Sequence, residues 1–542
     1  MKDWLAAQDM VFTNCSEGPA IPQPLAAGAD PLDRADRVYQ IAAAHFYSGQ
    51  LAQAREEFLA IGRDAKSPWR DFGPYLAARA MIRAGALADA EKQLIAIPND
   101  ERAQRMLKTV RVKMRPVETM AEVGRGLTAK QPSDFADLAA SYTWLYDILS
   151  NRPGEIEKVA ALDELTAWIH AYQAATPSGY AYRRWQARRT NVWLIAALEA
   201  GRDGTPELIA AADRLAPGAP AFLTAQYYAA LIEEKGGQES EARTRLTTLL
   251  GRKWPKSARN LLLAARMKMA MTWEDFLRDA VRAPAGEDGY DYNPGQPDVK
   301  RSDPNAPALD ADSAEILRTQ IPLTMLAAAA VDANLPAGIR RNLAIAAWTR
   351  EVLLNRWDAA RELTPALRIY VPDLQAFGKA GGEMFAAIYI MLRNPGLQPF
   401  PRAGFGRVTP VNQLDQLREN WWCAENRRRF IEPLSPALRE IYGQGKPEAR
   451  FLTADQKQAA RAEAEALAEI PAGPDFLGEQ TLRWAEKHPG DRRLPEALHR
   501  VVRATRYGCT EAESSKVSKR AFTLLHRRFP NSEWAKKTPY WF

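Results

Sequence analysis

Two neighbouring stretches of the chain repeat one spacing of small and large residues. They are "VYQIAAAHFYSGQLAQAREEFLAIG" at 38–62 and "PYLAARAMIRAGALADAEKQLIAI" at 74–97. Ala42, Gly49, Ala54 and Phe58 of the first answer to Ala78, Gly85, Ala90 and Leu94 of the second, each 36 residues on. A third copy at 222–250 sets Ala230, Gly237, Ala242 and Leu246 at the same intervals. A fourth, at 342–367, keeps Ala360 and carries Asn355 in place of the glycine. The pattern predicts a helical hairpin. Small residues stand where two antiparallel helices approach, and glycine supplies the left-handed turn between them. The larger apolar residue fills the gap to the next pair. One hairpin cannot bury its own apolar face, so the copies must stack.

Elsewhere Ala, Leu, Arg and Glu dominate, apolar residues recur at three and four, and period-two runs of Val, Ile and Thr are scarce. That reads as helix broken by Gly and Pro. On these residues the chain resembles the tetratricopeptide repeat family, whose unit is a helix–turn–helix of about 34 residues. The match is good over 36–97 and 222–250 and weaker at 190–215 and 342–367. It departs at Val38, where the family carries a large aromatic, and its closing proline is kept only loosely, as Pro98 or Pro255. The ending "RYGC…FPNSEWAKKTPYW" is similar to that of bacterial envelope members of the family with no assigned activity. The resemblance implies an all-α, right-handed helical-hairpin solenoid.

Composition divides this solenoid into two arcs. The expected order is an N-terminal extension at 1–30, a first repeat arc at 31–282 and a Pro/Gly/Asp-rich loop at 283–313. Middle repeats follow at 314–393, then a Pro- and aromatic-rich excursion at 394–430. C-terminal repeats with an aromatic capping tail complete it at 431–542.

Among 542 residues, 73 basic and 66 acidic side chains leave a net charge of +7, with both signs interspersed. That balance does not argue for a nucleic-acid binder. No apolar run reaches the about 18 residues of a membrane span; the nearest is "LTMLAAAAV" at 323–331. The start "MKDWLAAQDMVFTNC" has no secretory apolar segment. The cytoplasm is therefore one setting, and the periplasm or envelope is the other if a leader has been removed.

No nucleotide, zinc-protease or hydrolase motif occurs, and neither catalytic residues, a metal nor a cofactor is expected. The acids between Asp288 and Asp312 lack calcium-loop spacing. The histidines are His45, His170, His488, His499 and His526; the last three, with Glu496 and Cys509, lie in the C-terminal region without catalytic spacing. Three cysteines stand at Cys15, Cys423 and Cys509. They read as free thiols or, in an oxidising compartment, as a pair such as Cys423–Cys509.

Fifteen tryptophans are dense in "YRRW" and "NWW". Core wedges are the plain reading of these rings. The functional reading is a groove for an extended peptide, with Arg184, Trp185, Arg188, Tyr227, Trp421 and Trp422 as its anchors. The expected function is thus a non-catalytic scaffold that binds a protein or peptide on the concave face of the solenoid. The alternatives are an enzyme whose helical superhelix frames a cleft, for example for cell-wall glycan, and, less, a nucleic-acid-binding solenoid.

Overall fold

The computed structural model describes residues 2–14, 18, 20–132, 134–173, 179–201, 204–285, 306–377, 383–403, 421–423, 448–507 and 510–542. Among them are 27 α-helices and a single two-stranded ladder, so the chain is all-helical. It forms two compact units, Met1–Ala200 and Gly201–Phe542. The boundary falls at a glycine between helices rather than in the 283–313 segment, which lies within the second unit.

All four turns of the repeat adopt one backbone conformation. Gly49, Gly85 and Gly237 sit at φ of +83°, +78° and +80°, and Asn355 joins them at +59°. Asn tolerates this region because its short polar side chain bonds locally. The closing hydrogen bonds also match. In the first copy Gly49 N–H donates to Phe46 O and Gln50 N–H to His45 O; in the fourth Asn355 N–H donates to Val352 O and Arg356 N–H to Glu351 O. On either side of the first three turns, Ala42 and Ala54, Ala78 and Ala90, and Ala230 and Ala242 are fully buried.

The fourth hairpin differs in a compensated way. Where the others carry the first small residue it has Trp348, and where they carry Phe58, Leu94 or Leu246 it has Thr364. Trp348 is fully buried and its indole Nε1–H donates to Thr364 Oγ1 at 3.2 Å. The large residue stands before the turn and the smaller one after it, and a hydrogen bond joins the two.

A second cross-hairpin position is polar. Four residues before the turn stands His45, and eight after it stands Glu57; their side chains meet at 2.7 Å. In the third copy the same positions hold Glu233 and Arg245, which pair at 2.6 Å. In the fourth they hold Glu351 and Leu363. Glu351 is 3% exposed, and its Oε2 has no hydrogen-bond partner among the described residues. Burial pushes this carboxyl up to about 7; Arg356 opposes the shift, while Glu463 and Glu362 add to it.

The first unit has a serial core. Phe58, Ile61, Ala77 and Ala80 form one cluster, Ala78, Leu94, Leu107 and Val110 the next, and Met120, Leu145, Leu149 and Val159 a third. Each draws on helices adjacent in sequence, as expected where a repeat touches only its neighbours. The expected N-terminal extension contributes a helix, Lys2–Thr13, whose Val11 is buried with Ala43 and Ala44. The second unit begins with a local cluster around Leu246 and Leu262 and then becomes one continuous core reaching Ala535.

Of the loop expected at 283–313, residues 286–305 lie outside the described residues. Val281 and Arg282 pair antiparallel with Leu309 and Ala308, and a helix, Ala311–Thr319, starts on an Asp310 cap. Asp310, which stays exposed, and Asp312 both accept from the buried Arg282, at 3.0 and 2.8 Å.

The aromatic tail folds back onto the final helices. Ser532 caps the short helix Glu533–Lys536. Thr538 is buried and held by two imidazoles. Its hydroxyl donates to Trp534 O, so it accepts from His499 Nδ1–H at 2.7 Å. His526 Nε2–H donates to the Thr538 carbonyl at 2.8 Å. Phe542 then packs on the core with Arg506 over its ring, while Tyr540 and Trp541 stay 53% and 43% exposed.

The orphan acid generates a pH prediction. Between its ordinary value of 4.5 and about 7 the folded chain keeps the Glu351 proton that the unfolded chain releases, so stability falls as pH rises through that window. Glu351→Gln should be close to neutral at pH 4.5 and more stable than wild type by as much as about 3 kcal/mol at pH 8. Urea unfolding at the two pH values checks this, and parallel pH dependence of the two proteins would contradict it.

Candidate functional site

The residues expected to line a peptide groove are divided between the two units. Arg184 and Arg188 lie in the first unit, and both turn to Glu164. Arg184 hydrogen-bonds this carboxylate with its guanidinium over the Trp193 ring, and Arg188 stands 3.6 Å from it. The Trp193 indole donates to the other oxygen of Glu164. Trp185 is only 4% exposed, beneath the Arg189 guanidinium. The basic face of "YRRW" is thus matched by an acid from the preceding helix.

In the second unit Tyr227 is half-buried against the Ala230–Leu246 cluster and meets Tyr228 edge-on. Trp421 and Trp422 are 2% and 4% exposed, and their indoles donate to Met391 O and Pro471 O. Gly473 makes room for them, since a Cβ there would lie 2.6 Å from Trp421 Cβ. These two rings and Trp185 therefore serve the core, the plain reading of the tryptophan-rich stretches. Cys423 is disulfide-bonded. Cys15 and Cys509 both lie outside the described residues, and with them the expected Cys423–Cys509 pairing.

The histidines also have structural settings. His45 pairs with Glu57, His170 stands 4.0 Å from Glu157, and His488 stacks on Trp484 at 3.7 Å. His499 and His526 hold the tail. Burial, with Arg500, Arg503 and Lys537, holds His499 down at about 4, so its imidazole is neutral at pH 7. Among the described residues no group of three His, Cys, Asp or Glu side chains is placed to hold a metal, and no helix is long and apolar enough to cross a membrane.

One cleft in the second unit does gather charge. It has a volume of about 470 Å³ and lies between the 3-10 helix Pro372–Ala376, the helix Glu383–Arg393 and the residue that precedes the helix Leu494–Tyr507. Asp373, Gln375, Tyr389, Arg393 and Arg493 supply its polar lining, and Pro372, Ala376, Ala386 and Ile390 its apolar part. Arg493 is held rigidly. Its guanidinium forms a bidentate pair with Asp491, at 3.0 and 2.7 Å, and lies over the Phe385 ring. Phe385 stacks on Trp484, whose indole donates back to Asp491. Against the effect of burial, Arg493 and these N–H donors hold Asp491 down at about 2.

Behind Arg393, Glu496 accepts from the Tyr389 hydroxyl at 2.6 Å and from Arg500 at 2.8 Å. Burial, then the Glu496 carboxylate, pushes Tyr389 up to about 12. None of these residues belongs to a motif, and they meet only because segments more than a hundred residues apart pack together. The helix Glu383–Arg393 falls within the middle repeats expected at 314–393, but no local spacing marked Arg393 as a cleft residue. Comparison of the chain with protein-family models, with curated proteins and with solved structures returns no match.

Core tryptophans and ligand anchors respond differently to truncation. Trp421→Ala should cost about 3–5 kcal/mol of stability in chemical denaturation. An unchanged denaturation midpoint would return that ring to the surface role expected from the sequence.

Proposed function

We propose that the chain is a non-catalytic scaffold that binds another protein or a peptide along a tetratricopeptide-like stack of helical hairpins. The observation that carries this reading is the recurrence of one turn, with one set of closing hydrogen bonds, at Gly49, Gly85, Gly237 and Asn355. A fold grown by repetition offers an extended surface whose length follows the number of units, and such surfaces suit extended partners. The serial clusters of the first unit favour the same reading. So do the large side chains that this unit leaves accessible, such as Tyr47 at 37% and Trp144 at 52% exposure.

The test is affinity capture from native lysate on the immobilised chain, with bound proteins identified by mass spectrometry. A scaffold should retain a reproducible partner through a wash at about 0.3 M salt, where the screening length falls to several ångström. That partner, purified, should bind the chain directly in a titration. Failure of every captured protein to bind directly would overturn the reading. Retention that depends on nucleic acid and disappears with salt would overturn it as well.

A further inference from the structure

The cleft holds cationic groups whose donors are not all engaged. The Arg393 guanidinium lies 3.4 Å from Asp373 Oδ1 and 3.6 Å from Glu496 Oε1. Charge-assisted hydrogen bonds are shorter, about 2.7–2.9 Å. Both carboxylates are also occupied by other donors: Asp373 accepts from Asn394 Nδ2, and Glu496 from Tyr389 and Arg500. Arg393 therefore makes no hydrogen bond among the described residues. Its plane is set only by the Tyr389 ring at 5.6 Å. Arg493 uses Nε and one hydrogen of Nη2 on Asp491, which leaves Nη1 for another acceptor. Two guanidinium groups thus line one cavity with unused donors, and one of them is held in advance by the Asp491–Trp484–Phe385 ring of contacts.

Charge selects the ligand. The lining sets Arg393 and Arg493 against Asp373, and behind it Asp491 pairs with Arg493 and Glu496 with Arg500, so the cluster as a whole is neutral. A single anionic charge is the smallest that engages both guanidinium groups. A phosphate dianion would leave negative charge in surplus beside Asp373 and Glu496. The remaining wall is Pro372, Ala376, Ala386 and Ile390, with Gln375 as its one polar member. We propose that this cleft binds a singly charged organic carboxylate, with the carboxylate on Arg393 and Arg493 and a short apolar group against Ala376, Ala386 and Ile390. The proposal does not rest on the scaffold reading, since a free acid would fit the cleft in a chain that bound no protein. The same chemistry is offered by a free small acid and by the C-terminus of a polypeptide.

Ligand-observed NMR titration of the full chain tests it with four probes: N-acetylvaline, its amide, inorganic phosphate, and an acetylated pentapeptide ending in the same valine carboxylate. N-acetylvaline should bind, and the amide and phosphate should bind at least about tenfold more weakly. Arg393→Gln should weaken the acid by a similar factor and leave the amide unchanged. Ala376 is exposed at the edge of the cleft, so Ala376→Trp should abolish binding of the acid without lowering the melting temperature. Pentapeptide binding as tight as the free acid or tighter supports a chain terminus as the source, and exclusion of the pentapeptide supports a free acid. Equal binding of acid and amide, preference for phosphate, no binding of the acid, or indifference of the acid to Arg393→Gln would each overturn the proposal.

Discussion

The left-handed turn between two helices is the constraint on which the hairpins depend. In these four hairpins the chain reverses within a few residues by placing one of them at positive φ, where a Cβ meets the neighbouring carbonyl. Once the chain reverses there, the positions seven before and five after the turn face each other at closest approach. In the first three copies both are alanine and both are sealed from solvent. The nine-after position then reaches beyond its own hairpin, as Phe58 does toward Ala77 and Ala80. Turn, crossing and stacking are consequences of one backbone conformation.

The fourth hairpin indicates which parts of the arrangement are necessary. Asn355 keeps the backbone conformation without glycine, so the conformation matters more than the residue. Trp348 and Thr364 reverse the order of large and small and gain a hydrogen bond, so alanine at the first site is not required. Replacing a polar partner by Leu363 has no such compensation, and Glu351 remains with an unsatisfied buried oxygen. This hairpin also belongs to the continuous core of the second unit, where Glu463 from a distant helix accepts from Arg356 and from the Leu323 amide. Long-range packing there adds to the neighbour-to-neighbour contacts of the repeat.

Much of the fold was legible because its signals are local. Ala, Gly and Phe recur at intervals that a helix–turn–helix reads directly. Composition did not mark the two-residue ladder of Val281–Arg282 with Ala308–Leu309 or the Asp310 cap, because Arg282 meets Asp310 and Asp312 only across some thirty residues. The tryptophan clusters were ambiguous for a related reason. Whether Trp421 and Trp422 face solvent or core is decided by Gly473, some fifty residues on, which leaves space for their backbone. The charged cleft was illegible: Asp373, Arg393 and Arg493 share no spacing, and only the packing of the Glu383–Arg393 helix against the C-terminal helices brings them together.

If one turn conformation organises the hairpins, its cost should be visible wherever glycine is replaced, and for backbone reasons alone. An added Cβ at Gly49, Gly85 or Gly237 would meet nothing within 4 Å, and the same is true at Gly28, where φ is ordinary. Alanine at each turn position should therefore lower stability by about 1–2 kcal/mol, while Gly28→Ala should not. Native-state hydrogen exchange of the four variants measures this most directly. Loss of protection confined to the hairpin that carries the substitution is the predicted result. Equal tolerance of alanine at the turns and at Gly28 would contradict the account.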